Sequence, residues 1–218
     1  MKGLILKDFI NLKKNIKIFS VLIIIYGVMS FASEDAGLFS STLTILFAVL
    51  VMSLYSYDEM AKWDGYALTM PLSRDTIVQG KYLMMLLLTL IGAIVGLSFT
   101  FVMNIVSENS ISMMDSLLNS GIGASIIIFF YSIAIPFITK LGIEKARMIV
   151  MVIYLIPFIL TITIKKAIES GNVIMPENMT NMINYVIEHA YFILPVVVLL
   201  ALCISYTISI RIYRKKEF

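Results

Sequence analysis

Six long apolar runs separated by polar stretches organise the chain. They occupy residues 17–33, 38–57, 82–105, 119–139, 148–164 and 191–210. A hydrocarbon core about 30 Å thick takes roughly 20 helical residues to cross, so each run is read as a transmembrane helix. The two shortest, 17–33 and 148–164, reach across with snorkelling flanks such as Lys17 and Lys165. None of the runs alternates as a barrel strand does, and open backbone in lipid is too costly for other structures. The pattern predicts an all-α membrane protein, one transmembrane domain over residues 1–218.

Ahead of the first run the period changes. Ile5, Phe9, Leu12 and Ile16 recur at helical spacing, with Lys7, Asp8, Asn11, Lys14 and Asn15 opposite them. This predicts an amphipathic helix over 2–16, lying in the cytoplasmic membrane interface and feeding the first span. A cleavable signal peptide is the competing reading, since Ser30-Phe31-Ala32 loosely fits a small-x-small site. The lysines, spread along a patterned helix rather than packed into a short basic stretch, disfavour it.

Charge then orients the spans. Of the 17 Lys and Arg residues, all but Lys165 and Lys166 fall in the N-terminal segment, the 58–81 loop, the 140–147 loop and the tail. Basic residues accumulate on the cytoplasmic side, which places both termini in the cytoplasm and 165–190 outside, as expected for a multi-pass plasma-membrane protein. Composition agrees: 60% hydrophobic and 14% charged residues, with mean hydropathy +0.95, against about 45–50% and about 25% in soluble domains. The single cysteine, Cys203, forbids an intramolecular disulfide, and the lone His189 without HExxH or CxxC spacing argues against a metal site. Nothing points to a nucleic-acid partner.

The interiors of the six runs hold no Asp, Glu, Lys, Arg or His. Charges kept in mid-membrane mark ion pathways and proton relays, so an ion-coupled carrier, a voltage sensor and an intramembrane enzyme are disfavoured. Ser and Thr, Asn104, tyrosines such as Tyr26, Tyr131, Tyr154 and Tyr206, and seven methionines remain, in aggregate a lining suited to amphipathic or lipid-like cargo, although individually such residues pack helices. Gly92 and Gly96 form a GxxxG that allows close helix contact within or between subunits. Pro136 and Pro157 are candidate kinks. In the outer segment, Pro176-Glu177 reads as a helix start, Met179, Met182, Val186 and His189 share one face, and Asn178-Met179-Thr180 is a chance-level glycosylation triplet.

The loop "YDEMAKWDGYALTMPLSRDTIVQGKY" from Tyr57 to Tyr82 carries the only Trp. Residues 58–70 are read as a short helix with Met60, Trp63 and Ala67 on one face, Tyr66 beside them, and Asp58, Glu59, Lys62 and Asp64 around them. Pro71 disfavours helix at Met70 and ends it; Ser73 then caps the next helix with Asp75 in its first turn. A solvated turn is the bland alternative, but a flexible linker would use Gly and Ser rather than this cap chemistry.

Glu59, Trp63, Tyr66, "MPLSRDTIVQGKY" and the six-run plan resemble the ABC transporter type-2 permeases, with the nearest likeness to small bacterial subunits of peptide exporters of the phenol-soluble-modulin type. The resemblance implies a cytoplasmic coupling helix at 58–70 that docks on a separate ATP-binding subunit, a pair of permeases with two ATPases, and export of an amphipathic peptide, antibiotic or lipid-like substrate. On that reading Asp58, Glu59, Lys62, Trp63, Tyr66 and Pro71 face the ATPase, and Arg74 and Lys81 anchor the loop to lipid headgroups. ATP and Mg belong to the partner, with no cofactor on this chain. The only Gly-Lys pair, Gly80-Lys81, has Asp75 and Tyr82 where a P-loop needs Gly and Ser or Thr. Residues 165–190 do not match the outer re-entrant hairpin of larger relatives. A non-transporting membrane partner, such as an immunity or regulatory protein, is the alternative.

Overall fold

The computed structural model describes residues 2–33, 36–106, 113–169 and 189–216. Among them the regular structure is entirely helical: α1 (Lys2–Leu12), a 3₁₀ turn (Lys13–Asn15), α2 (Ile16–Ser33), α3 (Ala36–Met60), α4 (Trp63–Ala67), α5 (Arg74–Val106), α6 (Met113–Leu141), α7 (Ile143–Glu169) and α8 (Ala190–Lys215). Four stretches among the described residues are long and apolar enough to cross a membrane: Ser40–Met60, Arg74–Ile105, Met113–Leu141 and Ile193–Lys215. Each of the six apolar runs lies inside a helix, and the readings of the outer segment between 170 and 188 fall outside the described residues.

α6 sits at the centre, against α3, α5, α7 and α8, while α3 packs along α5 and α2 leans on α3. The core gathers Leu50, Val51, Leu54, Met84, Met85, Leu88, Tyr131 and Ile135 from α3, α5 and α6. The outward sides of α2, α5, α7 and α8 stay apolar, with Ile24, Ile105, Met148 and Leu199 more than half exposed. A soluble monomer rarely presents so much apolar surface; a lipid-facing bundle must.

The GxxxG contact is internal. Gly92 and Gly96 of α5 lie against Thr44, Phe47 and Ser40 of α3 so closely that a methyl on Gly96 would sit 2.8 Å from the Ser40 carbonyl oxygen. Gly123 of α6 similarly abuts Ser41. The three helices therefore meet backbone to backbone at the end away from α4. The nearby hydroxyls of Thr44 and Thr100 donate to carbonyls four residues earlier in their own helices. Pro136 is carried inside α6 without ending it.

Two expected boundaries are corrected. The polar loop 58–81 is much shorter as loop, because α3 continues through Met60 and α5 begins at Arg74. The 58–70 helix is not continuous either. α3 stops where Lys62 takes the left-handed conformation at φ 49°, an ending more often served by glycine, and only Trp63–Ala67 resumes as helix. A turn follows to Pro71, and Ser73 caps α5 as expected, its hydroxyl accepting from the Thr76 amide at 3.1 Å. The faces of α1 also differ from expectation: Leu4, Asp8 and Leu12 are buried against the bundle, while Leu6, Phe9 and Ile10 face outward. Asp8 turns inward because the lysines of the α3–α5 corner lie there.

Candidate functional site

At the α4 end of the bundle, ion pairs replace the glycine contacts. Asp58, in the last turn of α3, is buried and bound on both sides. Its Oδ1 accepts from Lys7 Nζ of α1 at 2.7 Å, and its Oδ2 pairs with Lys81 Nζ of α5. Lys7 also reaches Asp8 at 3.0 Å and lies 4.3 Å over the Trp63 ring; Lys81 lies 4.7 Å over Tyr55. Buried charges persist when paired in this way. The trio ties α1, α3 and α5 together and seats α4 upon them.

Glu59 performs a second linkage. Its Oε2 accepts from the backbone amide of Ile143, the first residue of α7, where a carboxylate satisfies an otherwise unpaired donor and opposes the helix dipole. The preceding Gly142 has φ +82°, and a methyl there would meet Glu59 Oε1 at 2.9 Å. The α6–α7 corner is thus a glycine turn closed by a side chain from α3. Arg147 of α7 donates to the Ser56 hydroxyl one turn earlier on α3. Glu59→Ala is expected to destabilise the protein by about 1 kcal/mol, as loss of a helix N-cap does, with Glu59→Gln between it and wild type. Thermal unfolding in detergent micelles measures this, and no change for Glu59→Ala would contradict the capping role.

A third set of bonds fastens α5 to α8. Arg74 Nη1 donates to the carbonyls of Tyr213, Arg214 and Lys216 at 3.2, 2.5 and 3.0 Å, capping the end of α8. Asp75 accepts from Arg214 Nε at 2.8 Å, Gln79 Nε2 donates to the Tyr206 hydroxyl at 2.9 Å, and the Tyr82 hydroxyl bonds those of Ser205 and Ser209. Residues 75, 79 and 82 fall on one helical face, so the sequence carried the stripe without naming its partner helix.

These placements divide the expected site residues. Arg74 and Lys81, expected at lipid headgroups, make bonds inside the bundle: Arg74 donates to the α8 carbonyls and Lys81 pairs with the buried Asp58. Asp58 is buried, and Glu59, although exposed, accepts from the first amide of α7. Trp63 is half-buried beside α1, with its ring 5.6 Å from that of Tyr66. Met60, at 83% exposed, faces outward together with Glu59, Ala61, Lys62, Gly65, Tyr66, Thr69 and Pro71. Met60, read from sequence on one apolar face with Trp63 and Ala67, sits at the apex of this surface, while Ala67 is buried and Trp63 half-buried.

Behind α4 the helix ends enclose a cavity of about 520 Å³. Tyr55, Asp58, Lys62, Asp64, Lys81, Thr139, Lys140, Gly142, Tyr213 and Lys216 line its polar part, and Ile77, Val78, Ile135 and Ile138 its apolar part. Burial raises the carboxyl of Asp64 above the usual range, opposed by Lys216, the Tyr213 hydroxyl and Lys7.

Comparison with known families adds one finding. Residues 3–214 match the family model described as ABC-2 family transporter protein. No curated protein and no solved structure matches the chain.

Proposed function

Because the chain belongs to the ABC-2 family of transporter proteins, we propose that it is the membrane-spanning permease subunit of an ATP-driven exporter and that the α3–α4 corner is where its ATPase partner pushes. The six long helices are the spans, α1 is the interface helix, and both termini and α4 lie on the cytoplasmic side. The observation that supports this is the division of labour at the corner. Met60, Lys62, Tyr66 and Pro71 are presented outward on a short, polar-rimmed surface with an aromatic and a methionine at its centre, the residue types that anchor protein interfaces. Asp58 and Trp63 beneath this surface, and Glu59 at its edge, hold α1, α5 and α7. A force applied to α4 reaches four helices without passing through a flexible loop.

ATP and Mg are bound by the partner; this chain contributes the path. Two copies, alike or different, pair to form it, and the methionine- and tyrosine-rich, charge-free helix interiors suit an amphipathic peptide, antibiotic or lipid-like cargo. In the test, the Met60→Ala, Tyr66→Ala variant is expected to retain wild-type unfolding behaviour but to lose co-purification of the ATPase subunit by at least about tenfold, the effect of removing interface anchors. Undiminished co-purification would place the docking surface elsewhere. A wild-type chain that never retains an ATPase would instead be the non-transporting membrane partner.

A further inference from the structure

The cavity behind α4 is not needed for docking, and the groups around it are unevenly committed. Its carboxylates have partners: Asp58 holds Lys7 and Lys81, Glu59 holds the Ile143 amide, and Asp64 faces the Tyr213 hydroxyl. Its donors are in surplus. Lys62, at the α3–α4 break, and Lys140, in the last turn of α6, line the cavity with no carboxylate within ion-pair distance among the described residues. The hydroxyl of Tyr55 lines it as well, buried and without a hydrogen-bond partner. A buried hydroxyl left unbonded costs free energy, so it marks a place where a ligand atom would be stabilised. The lining also includes the aliphatic side chains of Ile77, Ile135 and Ile138.

We infer that this cavity binds the headgroup of an anionic phospholipid, with the phosphate between Lys62 and Lys140, the Tyr55 hydroxyl donating to a headgroup oxygen, and the glycerol end along Ile77, Ile135 and Ile138. The volume lies within the usual range for small-molecule sites, about 300–1,000 Å³. Basic pockets between helices at the cytoplasmic membrane surface are suited to such headgroups, and the inference rests on the proposed placement of the α4 end at that surface. It does not rest on the ATPase contact. A bound lipid would bridge the α3–α4 corner to α6, two elements that the ion trio leaves unconnected.

Titration of the purified full chain in nonionic detergent with dioctanoyl phosphatidylglycerol tests this without the ATPase, so a failed docking experiment and a failed lipid experiment are distinguishable. Saturable binding is expected, weakened at least about tenfold in the Lys62→Gln, Lys140→Gln variant, as the loss of two lysine–phosphate contacts implies. Tyr55→Phe should weaken it by a smaller factor. The Lys62→Arg, Lys140→Arg variant, which keeps both charges, should bind like wild type and controls for misfolding. Equal binding of dioctanoyl phosphatidylcholine would overturn the proposal, as would unchanged affinity in the double Gln variant. Inorganic phosphate binding as tightly as the lipid would overturn the lipid part and leave a free-phosphate site.

Discussion

Asp58→Ala will destabilise the protein more than any other single substitution at the α4 end, by about 3–5 kcal/mol, the usual effect of stranding a buried charge. The carboxylate is the shared acceptor for Lys7 and Lys81, and the Asp58, Lys81 and Lys7 side chains are only 8%, 12% and 20% exposed. Without it, two ammonium groups remain beside each other with Asp8 as the nearest acid. The sign reverses if both sides of the main pair are removed: Asp58→Leu with Lys81→Met should recover much of the loss, because a matched apolar pair carries no desolvation cost. Chemical unfolding in mixed micelles reads both. A loss below about 1 kcal/mol for Asp58→Ala, the value for exposed pairs, would mean that water reaches the trio.

Gly96→Ala is the second large effect, from sterics alone. The added methyl would lie 2.8 Å from the Ser40 carbonyl oxygen and 2.9 Å from its Cα, both backbone atoms in a helix already pressed against α5. Relief requires moving α3 away from α5, which costs about 2–3 kcal/mol or more, as overpacking does. Gly121→Ala, on the exposed side of α6 with open space around it, should instead gain up to about 1 kcal/mol of helix propensity. Opposite signs for two Gly→Ala changes in one bundle make a test that instability of the preparation cannot imitate; a neutral Gly96→Ala would show that α3 and α5 do not meet this closely.

The helical class and the place of each long helix were legible because apolar runs of this length admit only one backbone solution in lipid. The cap at Ser73 and the stop before Pro71 were legible because they depend on neighbours within four residues. The end of α3 was not. Asp58 and Glu59 looked like the start of a loop, yet they extend the helix because their partners, Lys81 and the Ile143 amide, lie 23 and 84 residues away. Spacing along one chain reveals which residues share a face, as with Asp75, Gln79 and Tyr82, but not which helix that face meets. The same gap sent Arg74 and Lys81 toward lipid in the sequence reading: a lysine near a membrane boundary is expected to snorkel unless a carboxylate from another helix stands closer.

The two ends of the α3–α5 pair differ in kind, glycine on backbone at one and ion pairs around a cavity at the other. Gly92 lies 18 residues along α5 from Arg74, about 27 Å at the helical rise. Were the α4 end pushed as proposed, this close contact would be the fulcrum and the rest of α5 the long arm. On that geometry a displacement of about 2 Å at the α4 end is a turn of only about 4° at the fulcrum. Under the proposed coupling at α4, the bundle would work as a pair of tongs, hinged at the far end and gripped at the near one.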